Sequence, residues 1–394
     1  MHNLKVAIIG IGNMGSAHAK HIVDGCVKGM ELAAICDLDP AKREWAKETL
    51  GEQVALYDDY HQLLDDHICD AIIIATPHYL HPVIAIEAFE KGYHVLSEKP
   101  AGVYTKKVRE MNEAAAKSGK VFALMFNQRT NPLYQKVREL VQSGAIGQPK
   151  RLVWIITNWY RTQAYYDSGA WRATWVGEGG GVLLNQCPHQ LDLWQWIFGM
   201  PKSIHAKCHV GKYHNIEVED DVTITADYEN GASACFITTT GEFPGTNRLE
   251  ITGDLGKVVI ENDKLIFDKL SVSEREFTKT STQGFAAIPY TTEEITFDDG
   301  GTAHVGILQN FTNCILHGEE LLSSGYEGIN GLTISNAAFL SSWTGKEIEL
   351  PMDEDLFYQL LMERIEKSDI KEVSGVSRIE NLSGTYNQRW QGKA

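Results

Sequence analysis

Two observations in the 394-residue sequence predict an α/β protein built from two parts of different texture. From residue 4 to residue 126, short Val- and Ile-rich runs alternate with helix-compatible stretches, which predicts a doubly wound parallel sheet. Beyond residue 126, short strand-like runs follow one another between close turns, which predicts an α+β domain with a largely antiparallel sheet.

The first strand is the run Lys5 to Ile9, which meets Gly10-Ile11-Gly12-Asn13-Met14-Gly15 and then a helical stretch from Ser16 to Val27. A second strand, Leu32 to Cys36, ends at Asp37, and Pro40 in a first turn opens a helix that runs to Leu50. Further strands are expected at Ala71 to Ala75, His94 to Leu96 and Val121 to Met125, separated by helices at Pro82 to Lys91 and Lys106 to Ser118. In the second part, strands are expected at Arg151 to Tyr160, Ile204 to Val210, Val222 to Tyr228, Ser233 to Thr240, Arg248 to Gly253 and Lys257 to Ile260. Helical patterns there cover Leu133 to Ser143, His189 to Trp196, Val305 to His317 and Tyr326 to Ser342. The expected domains are 1–126, 127–354 and an extension at 355–394, read either as an arm packing on a neighbouring subunit or as a loose terminus.

Composition excludes several classes. With 43% hydrophobic and 22% charged residues the chain lies in the globular range. Its 36 basic and 52 acidic residues give a formal charge of −16, which repels phosphate backbones and anionic lipid, so neither nucleic acid nor membrane is an expected partner. The seven cysteines are scattered without a C-x-x-C pair, so neither a disulfide framework nor a metal site is expected. Without an apolar run of spanning length or a leader-like start, a cytoplasmic protein is expected.

The chemistry-bearing motif is the glycine turn. Gly10 permits the tight turn after the strand, Gly12 lets a pyrophosphate approach the backbone, and Gly15 allows helix and sheet to pack closely. The amides that follow, on Asn13 and Met14, open a helix whose N-terminus suits phosphate. Asp37 lies 22 residues past Gly15, at a strand end where a carboxylate accepts from ribose hydroxyls. The same charge repels the extra phosphate of NADP, so NAD is the preferred cofactor; Asp37 is also placed to cap the next helix.

Two further segments carry a resemblance: Ala75-Thr76-Pro77-His78-Tyr79-Leu80-His81, and Ser97-Glu98-Lys99-Pro100 after Gly92-Tyr93-His94-Val95-Leu96. With the glycine motif, they make the chain resemble the glucose–fructose oxidoreductase, inositol dehydrogenase and rhizopine catabolism family over roughly residues 4 to 350. The resemblance implies an N-terminal Rossmann domain, a C-terminal domain with an open sheet, and NAD(P)-linked redox chemistry on a sugar or cyclitol. It implies cofactor contacts from Thr76 and Pro77, with His78, His81 and Glu98 as further cofactor-side candidates. It places Lys99 beside the nicotinamide and the reacting hydroxyl. Members often pair through sheet faces, so a homodimer or homotetramer is expected.

The family's second catalytic element, D-x-x-x-H after a glycine-rich segment, matches Gly179-Gly180-Gly181 followed by Asn185-Gln186-Cys187-Pro188-His189. His189 falls on the family histidine, a suitable proton acceptor near neutral pH. Asn185 replaces the usual aspartate, and an amide cannot supply a counter-charge to Lys99. Asp192, one helical turn on, is placed either to orient the His189 ring or to cap the helix. Trp154, Trp159, Tyr160, Tyr165, Tyr166, Trp171 and Trp175, with Arg161 and Arg172 between them, form a candidate sugar-binding cluster, of which Tyr160, Trp171 and Arg172 are the expected contacts. Arg129, after the last strand of the first part, is placed either to reach substrate or to tie the two domains together.

The reading is an NAD-dependent oxidoreductase acting on a secondary alcohol of a sugar, glycoside or inositol, with Lys99, His189 and Asn185 as catalytic candidates. The alternatives are a glycoside-processing enzyme that oxidises a ring hydroxyl transiently and recycles its NAD, and a non-catalytic NAD-responsive regulator.

Overall fold

The computed structural model describes residues 3–371 and divides into two compact units. The first comprises residues 3–130 and 301–332, the second 131–300 and the described residues from 333 onward. Stretch 301–332, expected in the second domain, thus belongs to the first unit.

The first unit runs β1 (Leu4–Ile9), α1 (Asn13–Val23), β2 (Met30–Cys36), α2 (Pro40–Leu50), β3 (Ala55–Tyr57), α3 (Tyr60–Asp65), β4 (Ala71–Ile74), α4 (Leu80–Glu90), β5 (His94–Ser97), α5 (Thr105–Ser118) and β6 (Phe122–Leu124). The strands form one sheet in the order β3-β2-β1-β4-β5-β6, parallel at every pair. The chain reverses its direction of travel at β1, so a crevice opens at the carboxyl ends of β1 and β4. The strands are almost wholly apolar because helices cover both faces, as in Ala71–Ile74, where every residue is buried. β3 and α3 are too short to leave a sequence pattern.

The second unit begins with α6 (Pro132–Gln142), β7 (Pro149–Ile156), α7 (Gln163–Asp167), α8 (Pro188–Phe198), β8 (Ser203–Val210), β9 (Glu219–Asp227) and β10 (Ser233–Thr239). It continues with β11 (Asn247–Gly253), β12 (Gly256–Glu261), β13 (Lys264–Leu270), α9 (Glu274–Thr280) and β14 (Tyr290–Ile295). α10 (Ala303–His317) then packs Ile307, Leu308 and Phe311 into the core around Leu4, Val6 and Ile8 of β1, which is why this stretch belongs to the first unit. α11 (Gly328–Thr344), β15 (Ile348–Glu349) and α12 (Glu354–Ile365) complete the described chain.

The second sheet has nine strands, β14-β13-β12-β11-β7-β10-β9-β8-β15, antiparallel except where β7 lies parallel to β10. Alternate residues such as Ile204, Val222, Ile224, Phe236 and Ile251 face a buried side. The strand expected over Arg151 to Tyr160 stops at Ile156. β14 escapes sequence reading because five of its six residues are exposed and carry no alternation.

The start of the expected C-terminal arm packs on its own chain. Phe357 and Leu361 of α12 are buried, the Phe357 ring stacks 5.3 Å from Trp343, and Arg364 covers the same indole at 3.8 Å. Residues 372–394 of that extension lie outside the described residues. Among the described residues no helix is long and apolar enough to cross a membrane.

Candidate functional site

In the first unit, strand register lines up the motif residues. Ile9 pairs with both Cys36 and Ile74, and Ile74 pairs with Ser97, so Gly10, Asp37, Ala75 and Glu98 leave the sheet at one level along its carboxyl edge. Gly10 has φ +95°, and a Cβ there would lie 2.6 Å from the Ala75 carbonyl oxygen. A Cβ on Gly15 would lie 1.9 Å from the Gly10 oxygen, so this glycine is required by packing within the fold. Gly12 differs: a Cβ there would meet nothing within 4 Å, so the protein itself does not demand a glycine.

That open space fits a dinucleotide. Gly12 caps α1 without a side-chain hydrogen bond, no acidic residue occupies the first turn, and the Asn13, Met14 and Gly15 positions open the helix. Among the described residues the buried Thr76 hydroxyl has no hydrogen-bond partner. Asp37 accepts from the Ile11 amide at 2.7 Å, the Asp39 amide at 2.9 Å and Lys42 Nζ at 3.2 Å. A carboxylate has about four acceptor positions, which leaves room for a ribose hydroxyl. Asp37 does not cap α2; Asp39 does, through the Ala41 amide at 2.9 Å.

The T-P-x-x-x-H and E-K-P segments are fastened together by His81. This fully buried ring faces the Thr76 carbonyl with Nε2 at 2.7 Å and the Pro100 carbonyl with Nδ1 at 2.8 Å. Burial lowers its pKa. A neutral ring has one N–H, and on either nitrogen it donates to one of these carbonyls, so His81 packs between the two segments. Pro77 lies between Thr76 and His78, and the His78 ring packs 5.9 Å from that of His81.

Glu98 is 5% exposed and accepts from His18 Nε2 at 2.7 Å and from the Lys99 amide at 3.2 Å. Burial works to raise its carboxyl, but the His18 hydrogen bond and the charges of His18, His304 and Lys99 outweigh it and hold the group at about 2. His304 of α10, with its ring 5.6 Å from His18, is pushed down to about 3 by burial and by the His18 charge. Neither histidine was singled out from sequence. The available signal was the α1 spacing Gly15, His18, Ala19, Ile22, which puts a polar ring on a buried face where it must find a partner.

Arg129, a substrate candidate, is 1% exposed and donates to the Leu322 carbonyl at 3.1 Å and to the Glu327 carboxylate. Its guanidinium holds segment 322–327, which belongs to the same unit.

In the second unit, the expected aromatic cluster separates. Trp154, Trp159, Tyr166 and Trp175 are core residues: Trp154 donates to Asn247, Tyr166 pairs with Thr240, and Trp175 packs on Phe339 and Trp343. Tyr160 is exposed against Phe243, 5.6 Å between ring centres. Tyr165 and Trp171 remain part-exposed, and Arg172 lies 4.7 Å from each ring, with Arg161 5.1 Å from Tyr165.

Around them Asn185 organises a network. Its Oδ1 accepts from the Tyr165 hydroxyl at 3.2 Å and from Gln186 Nε2 at 3.1 Å, while its Nδ2 donates to Glu178. Arg172 donates to the Tyr165 oxygen at 2.9 Å. Tyr165, one ring of the expected cluster, and Glu178, which the sequence did not single out, are both held in this network. His189 is buried in the first turn of α8, after Cys187 at the cap and Pro188. Asp192 lies inside this helix and accepts from Gln195 at 3.0 Å, so it is not the cap. The nearby Glu219 carboxyl is pushed up to about 8 by burial, against the Leu183 and Gly181 amides that it accepts at 2.9 and 2.8 Å. Among the described residues no three His, Cys, Asp or Glu side chains converge on a metal position.

Comparison with known proteins agrees with these features. Residues 4–126 match the oxidoreductase family with NAD-binding Rossmann fold, and residues 134–259 match the GFO/IDH/MocA C-terminal domain. The chain is 24% identical over 356 residues to scyllo-inositol 2-dehydrogenase (NAD(+)) of Bacillus subtilis, covering 89% of this chain and 97% of that relative. It is also 24% identical to myo-inositol 2-dehydrogenase of Thermotoga maritima, over 88% of this chain and 98% of the relative. Among solved structures, the WlbA dehydrogenase of Bordetella pertussis, in complex with NADH and UDP-GlcNAcA, superposes with a TM-score of 0.74 at 25% identity, over 89% of this chain and 100% of that one.

Proposed function

Because this chain belongs to the GFO/IDH/MocA family of NAD-binding oxidoreductases, we propose that it is a dehydrogenase of a secondary alcohol on a sugar, glycoside or cyclitol. The observation that carries the reading is the carboxyl edge of the first sheet. The glycine turn, Asp37, Thr76 and the E-K-P segment emerge there at one level, beside a helix N-terminus open to an anion.

Bound at that edge, NAD would supply the hydride acceptor. The chain's own residues would do the rest. The α1 amides hold phosphate, and Asp37 accepts from the ribose and disfavours the additional phosphate of NADP. Thr76 and Pro77 line the cofactor. Lys99 Nζ hydrogen-bonds the carbinol oxygen and steadies its developing charge, and a ring nitrogen of His189 takes the hydroxyl proton. Tyr165, Trp171 and Arg172 present ring faces and donors suited to a hydroxylated ring. We place the enzyme in the cytoplasm as a homodimer or homotetramer, in keeping with its acidic surface and its family.

The test is to incubate the protein and NAD with inositols, monosaccharides, sugar acids and glycosides, following NADH absorbance and products by mass spectrometry. Stoichiometric NADH and a ketone are expected. NAD binding without conversion of any carbinol would overturn the reading.

A further inference from the structure

Position 185 holds an amide where the resembling family usually has a carboxylate, yet a carboxylate is present one hydrogen bond away. Glu178 is buried, with Oε2 accepting from the Ala173 amide at 2.6 Å and Oε1 accepting from Asn185 Nδ2. A carboxylate only accepts, so the Nδ2 end of the amide must face Glu178 and Oδ1 must face away. Oδ1 accepts from the Tyr165 hydroxyl and from Gln186 Nε2. Tyr165 therefore spends its single proton on Asn185, and its lone pairs face Arg172 Nη1 at 2.9 Å and Gln186 Nε2 at 3.3 Å. A chain results, guanidinium to phenol to amide to carboxylate, in which every donor points toward Glu178.

Two other observations bear on the same group. Ala173, whose amide Glu178 accepts, is a non-glycine residue at φ +54°, a conformation that persists only where neighbours enforce it. Arg161 and Arg172 have no ion pair among the described residues, though the chain has a surplus of acids. The hydrogen-bonded chain from Arg172 reaches the Glu178 carboxylate.

We infer that Glu178 is a positioning residue of this cluster: its carboxylate supplies the negative charge that Asn185 lacks and, through the Asn185 amide, sets the direction in which Tyr165 presents its hydroxyl. The inference deepens the proposed function and rests on it, since it assumes that Asn185 and its neighbours serve the reaction.

The test is a charge exchange across the hydrogen bond, with Glu178→Gln, Asn185→Asp and the double variant. In E178Q, one end of the new amide must face a donor it cannot accept from, either the Ala173 amide or Asn185 Nδ2, so kcat should fall about tenfold or more while NAD affinity holds. In N185D, two carboxylates share one hydrogen bond and must retain a proton. Activity should then fall as pH rises from 6 to 8, and the melting temperature should fall over the same interval. In the double variant, the amide introduced at position 178 accepts from Ala173 and donates to the carboxylate introduced at position 185, which still accepts from the Tyr165 hydroxyl. Turnover should return to within about threefold of the parent and the pH dependence should vanish.

A double variant no better than N185D, or an N185D protein with the parental dependence of melting on pH, would overturn the inference. If the parent converts no carbinol substrate, the functional reading fails and the melting series alone decides the Glu178–Asn185 coupling.

Discussion

Removing the His18 ring should expose how Glu98 is held ionised inside the first unit. In His18→Ala, a buried carboxylate loses the donor at 2.7 Å and retains the Lys99 amide at 3.2 Å. Truncating one member of a buried hydrogen-bonded pair leaves the other charge uncompensated, at a cost of about 3–5 kcal/mol. The loss should depend on pH. In the parent the Glu98 carboxyl is held at about 2, so its stabilisation is present above the ordinary carboxylate range and fades only as pH falls toward 2. Without His18, burial dominates and raises the group, so stability falls as pH rises, by up to about 1.4 kcal/mol per pH unit until the raised value is passed. The gap between parent and variant should therefore be widest at pH 8 and narrow toward pH 5. Urea unfolding at pH 5, 6, 7 and 8 reads this directly. A double-mutant cycle with Glu98→Gln should give a coupling of about 1.5–3 kcal/mol at pH 7. A gap that is the same at pH 5 and pH 8, or a coupling near zero, would refute the reasoning.

The glycine turn makes a paired prediction. Gly12→Ala should weaken NAD binding more than about tenfold while costing the unfolding midpoint no more than a weaker helix cap does, because its Cβ meets no described protein atom within 4 Å and enters the ligand space. Gly15→Ala should lower the midpoint as well, since its Cβ would strike the Gly10 carbonyl; melting curves and NAD titration by protein fluorescence separate the two. In Asp37→Asn the repelling charge is gone while Lys42 and Arg43 remain beside it, so the preference for NAD over NADP should shrink about tenfold in paired titrations. Lys99→Ala should abolish turnover while NAD still binds, and undiminished turnover in this variant would remove Lys99 from the reaction. Acidification from pH 6 toward pH 4 should lower the melting temperature through His304, which must stay neutral in the fold. In the unfolded chain it takes a proton at its ordinary value, while in the fold the group is held at about 3, so His304→Asn should flatten the acid limb.

Much of the first unit was legible because parallel strands buried on both faces leave unbroken apolar runs. Ala71–Ile74 and Pro40–Leu50 lie almost where the residues predict them, and the glycines and Asp37 were marked by spacing. β13 was missed despite its alternating Lys264–Leu270 pattern, and β14 because a nearly all-exposed strand carries no pattern at all. The aromatic cluster misled in a different way. Sequence proximity gathered seven rings, but residues adjacent along a strand or turn face opposite directions, and four of the seven point into the core.

The sequence by itself determined local matters: where strands and helices run, which glycines form the turn, and which motifs carry the cofactor edge and Lys99. These follow from periodicity and from backbone sterics within a few neighbouring residues. Tertiary structure alone decided partnership. It placed His18 on Glu98 across 80 residues and His304 beside them, returned α10 to the first unit, and put Glu178 on the Asn185 amide. A buried polar group announces that it needs a partner, but which one it finds depends on how distant segments are brought together, and no local pattern records that.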